Sequence, residues 1–373
     1  MKLAFFIYRY FPYGGQQRDM LDIARQAQRR GHQVSVICHQ WQGERPSWLE
    51  VIQVPVKGLA NHNRMANFAT AAHGVARELA AELVVGFIKL PGLDIYYAAD
   101  SCFAEKAYKQ RGFLYRLLPR TRGYLRLERT VFDPAASSHI LEVSPLERES
   151  FVRHYATPEH RFHRLIPGIS RTRIAPDNYR EVRAAKRREL GFSDDETLLL
   201  ALGSGFKTKG LDRSIRTLAE LQRRGRTAQL LVVGQDKSAT FSGLAGRNGV
   251  AEQVHFLGGR DDIPDLLQAA DLLMHPAYRE NTGNALLEAM VAGIPVVATQ
   301  TCGYSHYVTE AEMGAVIADD ADAAVIADTV ALLLHTPSGE WHRRGKAFAD
   351  NTEIYDRALQ CVIIMESLAG MRG

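Results

Sequence analysis

The segment AYRENTGNALLEAMVAGIPVVAT, residues 277–299, predicts a helix that leads into a buried strand. A Gly-Ile-Pro break ends the helix, and an apolar run follows it. Two glutamates eight positions apart, Glu280 and Glu288, interrupt this otherwise apolar segment. Because a carboxylate is costly to bury without a partner, these residues are either solvated surface side chains or parts of a ligand site.

Short apolar runs alternate with amphipathic stretches along the whole chain. In the first half, β-strands are predicted at residues 3–8, 34–38, 51–54, 83–87, 95–98 and 139–143. In the second half, they are predicted at residues 198–202, 229–233, 254–257, 272–275, 296–299 and 315–318. Continuous apolar strands separated by helices are typical of parallel sheets covered on both faces. The sequence therefore predicts an α/β protein with two Rossmann-like, doubly wound parallel-sheet domains that face each other across a cleft.

The domain boundary is predicted at Pro167-Gly168, where the alternation stops. Residues 1–166 would form the amino-terminal domain, and residues 167–350 the carboxy-terminal domain. Residues 351–373 contain one more helix, which either caps the second domain or crosses back to the first. Ligands of open α/β sheets bind beyond the carboxyl ends of the strands, so the site is expected in the cleft between the domains.

The bulk composition is that of an ordinary globular protein. The chain has 373 residues, 46% of them apolar and 24% charged, and a formal net charge of +4. Its four cysteines are scattered, which argues against a disulfide framework and indicates a reducing compartment. Arg9 interrupts the apolar amino-terminal run, and no stretch of about 18 apolar residues occurs, so neither a signal peptide nor a transmembrane helix is expected.

The segment 277–299 has the chemistry of a site for hydroxyl-bearing ligands. Glu280 follows a predicted strand and can accept hydrogen bonds from hydroxyl groups. Asn281 or Thr282 is expected to cap the following helix, and Gly283 lets a ligand approach the backbone. Free N–H groups at a helix start attract anions. The two glutamates together suit the two ends of an extended ligand.

Glu280 and Glu288, followed by Ala-Met-x-Ala-Gly-x-Pro-Val-Val-Ala, resemble the signature of the family 4 retaining glycosyltransferases, which have the GT-B fold. Further pieces resemble the family in the same order along the chain. They are the glycine loop at Gly14-Gly15, the strand–loop–Lys-Gly element at residues 202–210, and the run at residues 269–276.

The resemblance covers most of the chain, and it looks closest to the family members that glycosylate the lipopolysaccharide core. The stretches that carry this finer resemblance are YFPYGG at residues 10–15 and KLPGLD at residues 89–94.

The resemblance implies roles for the matched residues. Glu280 would bind hydroxyls of the donor hexose, and Glu288 the ribose hydroxyls of its nucleotide. Lys209 would neutralise the donor diphosphate and assist its departure. The family often has an arginine after the glycine of the first strand of this domain, where this chain has Ser204. Arg173 is the candidate for the missing charge, unless it is a solvated linker residue.

Several further residues are candidates for donor binding, and alternatives remain open for some. The donor-binding set consists of Gly14, Gly15, Asp19, Lys207, Arg260, Asn281, Thr282, Gly283, Asn284 and Glu288. Gly14 alone is better explained by a tight turn, and Asp19 either favours the helix dipole or faces the acceptor. Asp100, which follows a predicted strand, would contact the donor hexose or the reacting centre, or else cap a turn.

The resemblance implies transfer of glucose or a related hexose from a UDP-sugar to a heptose of the lipopolysaccharide inner core. It also implies retention of configuration, with no metal and no other cofactor. The sequence offers no carboxylate nucleophile that can be placed convincingly beneath the anomeric carbon, so retention is expected by front-face attack. A retaining transferase with a soluble acceptor is one alternative, and a UDP-sugar epimerase or hydrolase on the same fold is another.

The segment 103–132 mixes eight basic residues with aromatic residues and leucines, against two glutamates. This composition suits an anionic membrane surface, and nothing else in the chain supports nucleic acid as a partner. The alternative is a solvated basic helix whose apolar face packs on the domain. Because the implied acceptor is lipid-linked, a peripheral position on the cytoplasmic face of the inner membrane is expected. The predicted membrane contacts are Lys106, Lys109, Arg111, Phe113, Tyr115, Arg116, Arg120, Arg122, Tyr124 and Arg126.

Overall fold

The computed structural model describes residues 1–12, 14–58 and 61–371, so Tyr13 of the YFPYGG stretch lies outside the described residues. The chain forms two compact units. The first comprises Met1–Gly168 together with Asp356–Gly373, and the second comprises Ile169–Tyr355. Within the described ranges, no helix combines the length and the apolarity needed to cross a bilayer.

The first unit is built on a parallel sheet. Its strands are β1 (Lys2–Tyr10), β2 (Gln33–Trp41), β3 (Glu50–Gln53), β4 (Leu83–Gly86), β5 (Ile95–Ala98), β6 (His139–Glu142) and β7 (Phe162–Arg164). They lie in the order β3-β2-β1-β4-β5-β6-β7, and every recorded pairing is parallel. All six strands predicted in this half form, whereas β7 has no predicted counterpart because Phe-His-Arg contains no apolar run.

Helices cover both faces of this sheet. They are α1 (Gly15–Arg29), α2 (Asn61–Glu78), α3 (Phe103–Glu105), α4 (Phe113–Leu117), α5 (Pro119–Phe132) and α6 (Pro145–Tyr155), with a π-helical turn at Lys106–Gln110. Alternate residues of β1 point into two separate cores. Phe5 packs with Met20 of α1 in one core, and Phe6 packs with Phe68 of α2 and Phe132 of α5 in the other.

The second unit repeats this architecture. Its strands are β8 (Leu198–Leu202), β9 (Gln229–Val233), β10 (Val254–Gly258), β11 (Leu272–His275), β12 (Val296–Thr299) and β13 (Gly314–Ile317), in the parallel order β10-β9-β8-β11-β12-β13. Its helices are α7 (Tyr179–Leu190), α8 (Leu211–Arg223), α9 (Ala239–Arg247), α10 (Ile263–Ala269), α11 (Asn284–Val291), α12 (Ser305–Glu310), α13 (Ala323–Leu334) and α14 (Ser338–Asn351). The final helix, α15 (Arg357–Gly370), lies in the first unit and packs against α1. The prediction of two Rossmann-like parallel-sheet domains is confirmed.

Each sheet has one point at which the strand order reverses. In the first unit this point lies between β1 and β4, and in the second it lies between β8 and β11. Loops that leave adjacent strands in opposite directions open a crevice at such a point, and open α/β sheets bind ligands there. The segments that follow β8 and β11 carry Lys209 and Glu280, so the topology brings these two predicted residues to one place.

A buried arginine fixes the opposite end of β8 and β11. The side chain of Arg187 on α7 has 0% exposure, and its guanidinium donates to Asp271 Oδ2 at 2.7 Å and to the Ala269 and Glu196 carbonyls at 2.9 and 2.8 Å. Asp271 Oδ2 also accepts a hydrogen bond from the Leu198 N–H at 2.7 Å. One ion pair therefore ties the start of β8 to the start of β11.

Replacing this arginine should destabilise the second unit strongly. Arg187→Met is expected to lower the free energy of unfolding by about 3–5 kcal/mol, because Asp271 and several carbonyls lose a buried partner. Urea denaturation followed by circular dichroism would measure the change. The adjacent Arg188 is exposed, so Arg188→Met should stay within about 0.5 kcal/mol of the wild type. Equal effects from the two variants would contradict the structural role assigned to Arg187.

Candidate active site

Two loops meet at the carboxyl ends of β8 and β11. The N–H of Tyr278, beyond β11, donates to the carbonyl of Thr208, beyond β8, at 2.9 Å. Gly210 makes this approach feasible, because a Cβ at this position would lie 2.0 Å from the Pro276 carbonyl oxygen. Its φ of +74° is also one that side chains other than glycine rarely adopt. The glycine thus allows Lys209 to reach the segment that carries Glu280.

Lys209, Glu280 and His275 form a compact charged cluster. The Lys209 ammonium and the Glu280 carboxylate make an ion pair through Oε2. His275, the last residue of β11, donates from Nε2 to the same oxygen at 3.1 Å and is itself buried. The carboxylate therefore has two donors and little contact with water.

The electrostatics of this cluster keep Glu280 ionised. Burial raises the pKa of the Glu280 carboxyl, but the charge of Lys209 and the hydrogen bonds from His275 and Lys209 lower it by more, so the pKa lies below its usual range. Burial lowers the pKa of His275, which leaves the imidazole neutral near pH 7. A neutral imidazole with its proton on Nε2 is a hydrogen-bond donor that adds no second positive charge.

The backbone around Glu280 is held from the neighbouring strand. Glu280 forms an isolated parallel bridge with Cys302, and the Tyr304 N–H donates to the Thr282 carbonyl at 2.8 Å. Thr299 Oγ1 donates to the Ala277 carbonyl at 2.7 Å. These contacts fix the segment from both sides. They were not expected from the sequence, because local patterns do not show which distant residues will accept or donate.

The predicted cap of α11 is wrong. Gly283, with φ +92°, is the N-cap residue, and no side chain caps the helix. A Cβ at position 283 would lie 3.2 Å from Leu286 Cδ1. Asn281 and Thr282 lie before the cap, and Asn284 is the first helical residue. The start of α11 therefore presents backbone N–H groups beside Glu280 without a side-chain cap.

Glu288 and Arg173 come together inside the second unit. Arg173 Nε lies 3.7 Å from Glu288 Oε1, and the two side chains are only 12% and 10% exposed. At this distance they form an ion pair but no hydrogen bond, and no described residue provides a hydrogen-bond acceptor for Arg173 Nε. The structure does not support the alternatives of a solvated linker arginine or of solvated glutamates.

Two other predicted cations are not part of this cluster. Lys207 is exposed. Arg260 donates to Asp262 Oδ1 and Oδ2 at 2.8 and 2.5 Å, and it lies 3.6 Å from Glu189. The charge of Arg260 is therefore balanced by neighbouring carboxylates. The membership of Lys207 and Arg260 in the donor-binding set stays a prediction.

In the first unit, the two glycines at the start of α1 have different surroundings. Gly14 is the N-cap residue, and a Cβ there would overlap Gln17 Oε1 at 1.8 Å. A Cβ at Gly15 would have no described atom within 4 Å. The obstacle at Gly14 is the movable end of the Gln17 side chain, whereas the space beside Gly15 is open. The donor contacts predicted for Gly14 and Gly15 stay predictions.

Asp19 has partners within its own unit. Its Oδ2 accepts hydrogen bonds from the Tyr97 hydroxyl at 2.6 Å and from Arg357 Nη1 at 3.2 Å. It lies in the second turn of α1, where the helix dipole acts weakly, so these partners rather than the dipole account for its position. The carboxylate connects α1 to β5 and α15. Its predicted role at the donor or acceptor stays a prediction.

Asp100 lies two residues beyond the end of β5, in the loop that leaves this strand, as predicted. The next residue is held by Lys89, whose ammonium donates to the Ser101 carbonyl at 2.8 Å and to Glu128 of α5 at 2.5 Å. Glu128 is fully buried and also accepts hydrogen bonds from the N–H groups of Phe103 and Ala104. The loop that carries Asp100 is thus connected to the basic segment through Lys89.

The basic segment is packed at one end and exposed at the other. Leu127, Val131 and Phe132 at the end of α5 are buried, as the packed-helix alternative expected. Phe113 and Leu114 on α4 are 68% and 77% exposed, and Leu117 and Leu118 are exposed beside them.

Cations of this segment lie over tyrosine rings. Arg111 lies 5.8 Å from the ring centroid of Tyr115, Arg120 lies 5.6 Å from that of Tyr124, and Arg116 lies 4.9 Å from that of Tyr108. Lys109 pairs with Glu105 at 3.1 Å. Arginines beside aromatic rings and exposed leucines form an amphipathic surface.

Comparison with known proteins places this site in a family. The model of Glycosyltransferase Family 4 matches residues 13–173, and that of Glycosyl transferases group 1 matches residues 182–351. The lipopolysaccharide glucosyltransferase WaaG of Escherichia coli (strain K12) is 42% identical over 358 residues, which cover 95% of this chain and 96% of the relative.

Solved structures agree with these matches. The crystal structure of WaaG, a glycosyltransferase involved in lipopolysaccharide biosynthesis, matches with a TM-score of 0.91 and 41% identity, covering 97% of this chain and 99% of that chain. Anabaena HepE in complex with UDP-glucose matches with a TM-score of 0.77 and 18% identity, covering 98% and 99% of the two chains. The second match shows a shared fold alone. The GT-B fold predicted from the sequence is confirmed.

Removing the charge of Lys209 should make the protein less stable at neutral pH than at mildly acidic pH, relative to the wild type. In the wild type, Glu280 contributes stability above its unfolded-state pKa near 4.5 and loses it only as the pH falls through its lower folded-state pKa. In Lys209→Met, burial should raise that pKa, so the stability of the variant should decrease as the pH rises towards 7. The loss at pH 7 should be about 1–2 kcal/mol, since Lys209 is partly exposed.

Urea denaturation at pH 7 and pH 4.5 would measure this difference. The deficit of Lys209→Met relative to the wild type should be larger at pH 7. Lys346 is exposed, and its ion pair with the exposed Asp177 is long, at 3.9 Å. Lys346→Met is therefore the matched control and should show little deficit at either pH. A Lys209→Met deficit that is the same at both pH values would contradict the charge compensation described for Glu280.

Proposed function

This chain belongs to the glycosyltransferase family that includes WaaG of Escherichia coli, and we propose that it transfers a hexose from a UDP-sugar to a heptose of the lipopolysaccharide inner core. The similarity to WaaG extends over nearly the whole of both chains. The observation that carries the proposal is the Lys209–Glu280–His275 cluster beside the start of α11. We take glucose as the transferred hexose because the relative is a glucosyltransferase.

The cluster has the groups that a nucleotide-sugar donor requires. Lys209 can exchange its ion pair with Glu280 for one with the donor diphosphate, where it would stabilise the charge that develops on the leaving group. The Glu280 carboxylate, still held by His275, can then accept hydrogen bonds from hexose hydroxyls. The start of α11 at Gly283 and Asn284 would bind hydroxyl or phosphate oxygens through backbone N–H groups.

The second pair has a complementary role in the proposal. Glu288 would bind the ribose hydroxyls, and Arg173, whose Nε lacks a hydrogen-bond acceptor among the described residues, would add positive charge near the diphosphate. In the first unit, Gly15 and Asp100 stay predicted donor contacts. Asn281, Thr282, Lys207 and Arg260 stay in the predicted donor-binding set.

Retention of configuration follows from the family in this proposal. Front-face attack needs a positioned acceptor and a stabilised leaving group rather than a covalent nucleophile. Glu280 is ill-suited as a nucleophile, because its carboxylate is engaged by Lys209 and His275. Burial raises its pKa, but these two partners lower the pKa by more. We therefore assign Lys209 to the departing diphosphate and Glu280 to sugar binding.

The transfer reaction can be tested directly. Purified protein would be incubated with a panel of UDP-hexoses and a heptose-terminated core acceptor, and the product would be analysed by mass spectrometry and by NMR of its anomeric proton. Acceptor-dependent glycosylation with retention is expected. Lys209→Ala and Glu280→Ala should each lower kcat/KM by roughly 100-fold or more, as expected when a group that stabilises transition-state charge is lost.

The exposed Lys346 provides the control, and Lys346→Ala should retain wild-type activity. Full activity in both site variants would contradict the assigned roles. Transfer to a soluble acceptor alone would favour the first alternative, and turnover of donor without acceptor would favour an epimerase or hydrolase. A covalent glycosyl–carboxylate adduct would rule out front-face attack.

We further propose that the basic segment holds the protein on the anionic cytoplasmic face of the inner membrane. The exposed apolar side chains of Phe113, Leu114, Leu117 and Leu118 support this, since exposed large apolar groups in contiguous positions mark an interaction surface. The surrounding cations, among them Arg111, Arg116 and Arg120, would interact with anionic headgroups. The predicted contacts Lys106, Lys109, Tyr115, Arg122, Tyr124 and Arg126 belong to the same proposal.

Sedimentation with phosphatidylcholine–phosphatidylglycerol vesicles would test this surface. Phe113→Ser/Leu114→Ser should weaken binding by roughly tenfold or more, because two apolar side chains no longer enter the interface. Val325 and Leu332 are also exposed apolar residues, on α13 of the second unit, so Val325→Ser/Leu332→Ser is the matched control and should bind like the wild type. Equal binding by all three proteins would contradict the assignment.

A further inference from the structure

A depression of about 610 Å³ lies beside the basic segment within the first unit. It is separate from the exposed leucines of α4 and from the residues that follow β1 and β5. Three arginines of α5, two residues of α6 and a tyrosine of the π-helical turn line it. The residues used below are Arg122, Arg126, Arg129, His154, Tyr155 and Tyr108.

The three arginines present little-compensated positive charge to this depression. Their spacing of four and three residues places them on one face of α5. The described residues provide no ion-pair partner for Arg122 or Arg126, and the partner of Arg129 is Asp133 at 3.9 Å, with both side chains largely exposed. Glu105, which pairs with His154 of the lining, already has Lys109 and Arg153 as further partners.

The other walls are flat and aromatic. The ring of Tyr108 is stacked on that of His154 with a centroid separation of 5.7 Å. The hydroxyl of Tyr155 donates to the buried Glu128 at 2.9 Å, which fixes this ring at the wall. The apolar side chain of Leu125 also contributes. Guanidinium groups facing rigid ring walls match an anion that is carried on a compact organic group.

We propose that this depression binds a phosphomonoester, carried either by a sugar of the lipid-linked acceptor or by a lipid headgroup. A phosphomonoester has a charge of about −1.5 to −2 near pH 7 and three acceptor oxygens. A phosphodiester has one charge and two free oxygens. Three arginines that can donate in a bidentate manner therefore favour the monoester. Phosphate binding at this site does not depend on the proposed reaction. Only the idea that the acceptor carries the phosphate rests on the proposed function.

Isothermal titration calorimetry with glucose 6-phosphate and with inorganic phosphate would test the site without any activity assay. Saturable binding is expected for the wild type. Arg122→Gln/Arg126→Gln should weaken it by about tenfold or more, because two charge-assisted contacts are lost. The phosphate affinity of Arg126→Lys should lie between those of the wild type and the double variant, since an ammonium keeps the charge but not the bidentate geometry. Thermal unfolding would confirm that each variant is folded.

Arg111 and Arg120 provide the matched control, because they belong to the same segment but do not line the depression. Arg111→Gln/Arg120→Gln removes the same charge and should leave the phosphate affinity unchanged. Equal losses in the two double variants would mean a general electrostatic effect and would overturn the site. The absence of saturable binding to the wild type would overturn it as well.

Two further measurements distinguish the sources. If the source is the acceptor, Arg122→Gln/Arg126→Gln should raise KM for a phosphorylated acceptor but not for the same acceptor after dephosphorylation. If the source is a lipid, the variant should bind phosphatidic acid vesicles more weakly while its binding to phosphatidylglycerol vesicles changes less. Either result supports the site. If the variant shows no change in KM and no change in vesicle binding, the site is overturned. Calorimetric binding without any transfer would separate failure of the proposed function from failure of this inference.

Discussion

The buried carboxylate of Glu280 is the constraint on which the second unit depends. A carboxylate at the end of a strand, largely removed from water, is stable only with partners that balance its desolvation. Lys209 and His275 are those partners, and each requires its own structural support. Lys209 reaches the carboxylate because Gly210 lets the loop beyond β8 approach the segment beyond β11. His275 is in place because β11 is fixed in the sheet, and the ion pair of Arg187 with Asp271 holds the other end of that strand.

This arrangement also explains how a charged cluster can serve a reaction. Lys209 and Glu280 satisfy one another, so neither charge is left unpaired in a partly buried place. Under the proposed function, a donor with a diphosphate and several hydroxyls would offer each of them a new partner, and His275 would keep its hydrogen bond to Glu280. Charged groups that the fold already holds in place would then stabilise the charge that develops on the leaving group, as in electrostatic preorganisation. A neutral His275 suits this role, because a second positive charge would compete with Lys209 for the same carboxylate.

The sequence predicted those features that depend on local pattern. All six strands of the second unit were located to within one residue at each end, and the Glu-x7-Glu and Lys-Gly motifs indicated which loops would carry the site. Features that depend on distant partners were not accessible. Asp19 binds Arg357, which is 338 residues away in sequence, and no periodicity reveals such a pair. His275 was missed as a partner of Glu280 because a histidine that closes an apolar strand gives no signal of what its imidazole contacts. The predicted cap of α11 was wrong because polar residues before a helix predict a side-chain cap, whereas the N-cap position has a φ of +92° and is occupied by Gly283.

In the first unit, α5 connects the exposed surface of the basic segment to the loop at the end of β5. Its buried face is fixed by Glu128, which accepts hydrogen bonds from Lys89, Tyr155 and the backbone at the start of α3. Its opposite face presents the arginines of the proposed phosphate site, and α4 presents the exposed apolar residues just before it. Lys89 also holds the Ser101 carbonyl, next to Asp100. One buried carboxylate therefore connects α5 with α6, with the start of α3 and, through Lys89, with the loop beyond β5. If the basic segment binds the membrane as proposed, this connection would tie the surface that holds the lipid end of an acceptor to the loop that carries Asp100.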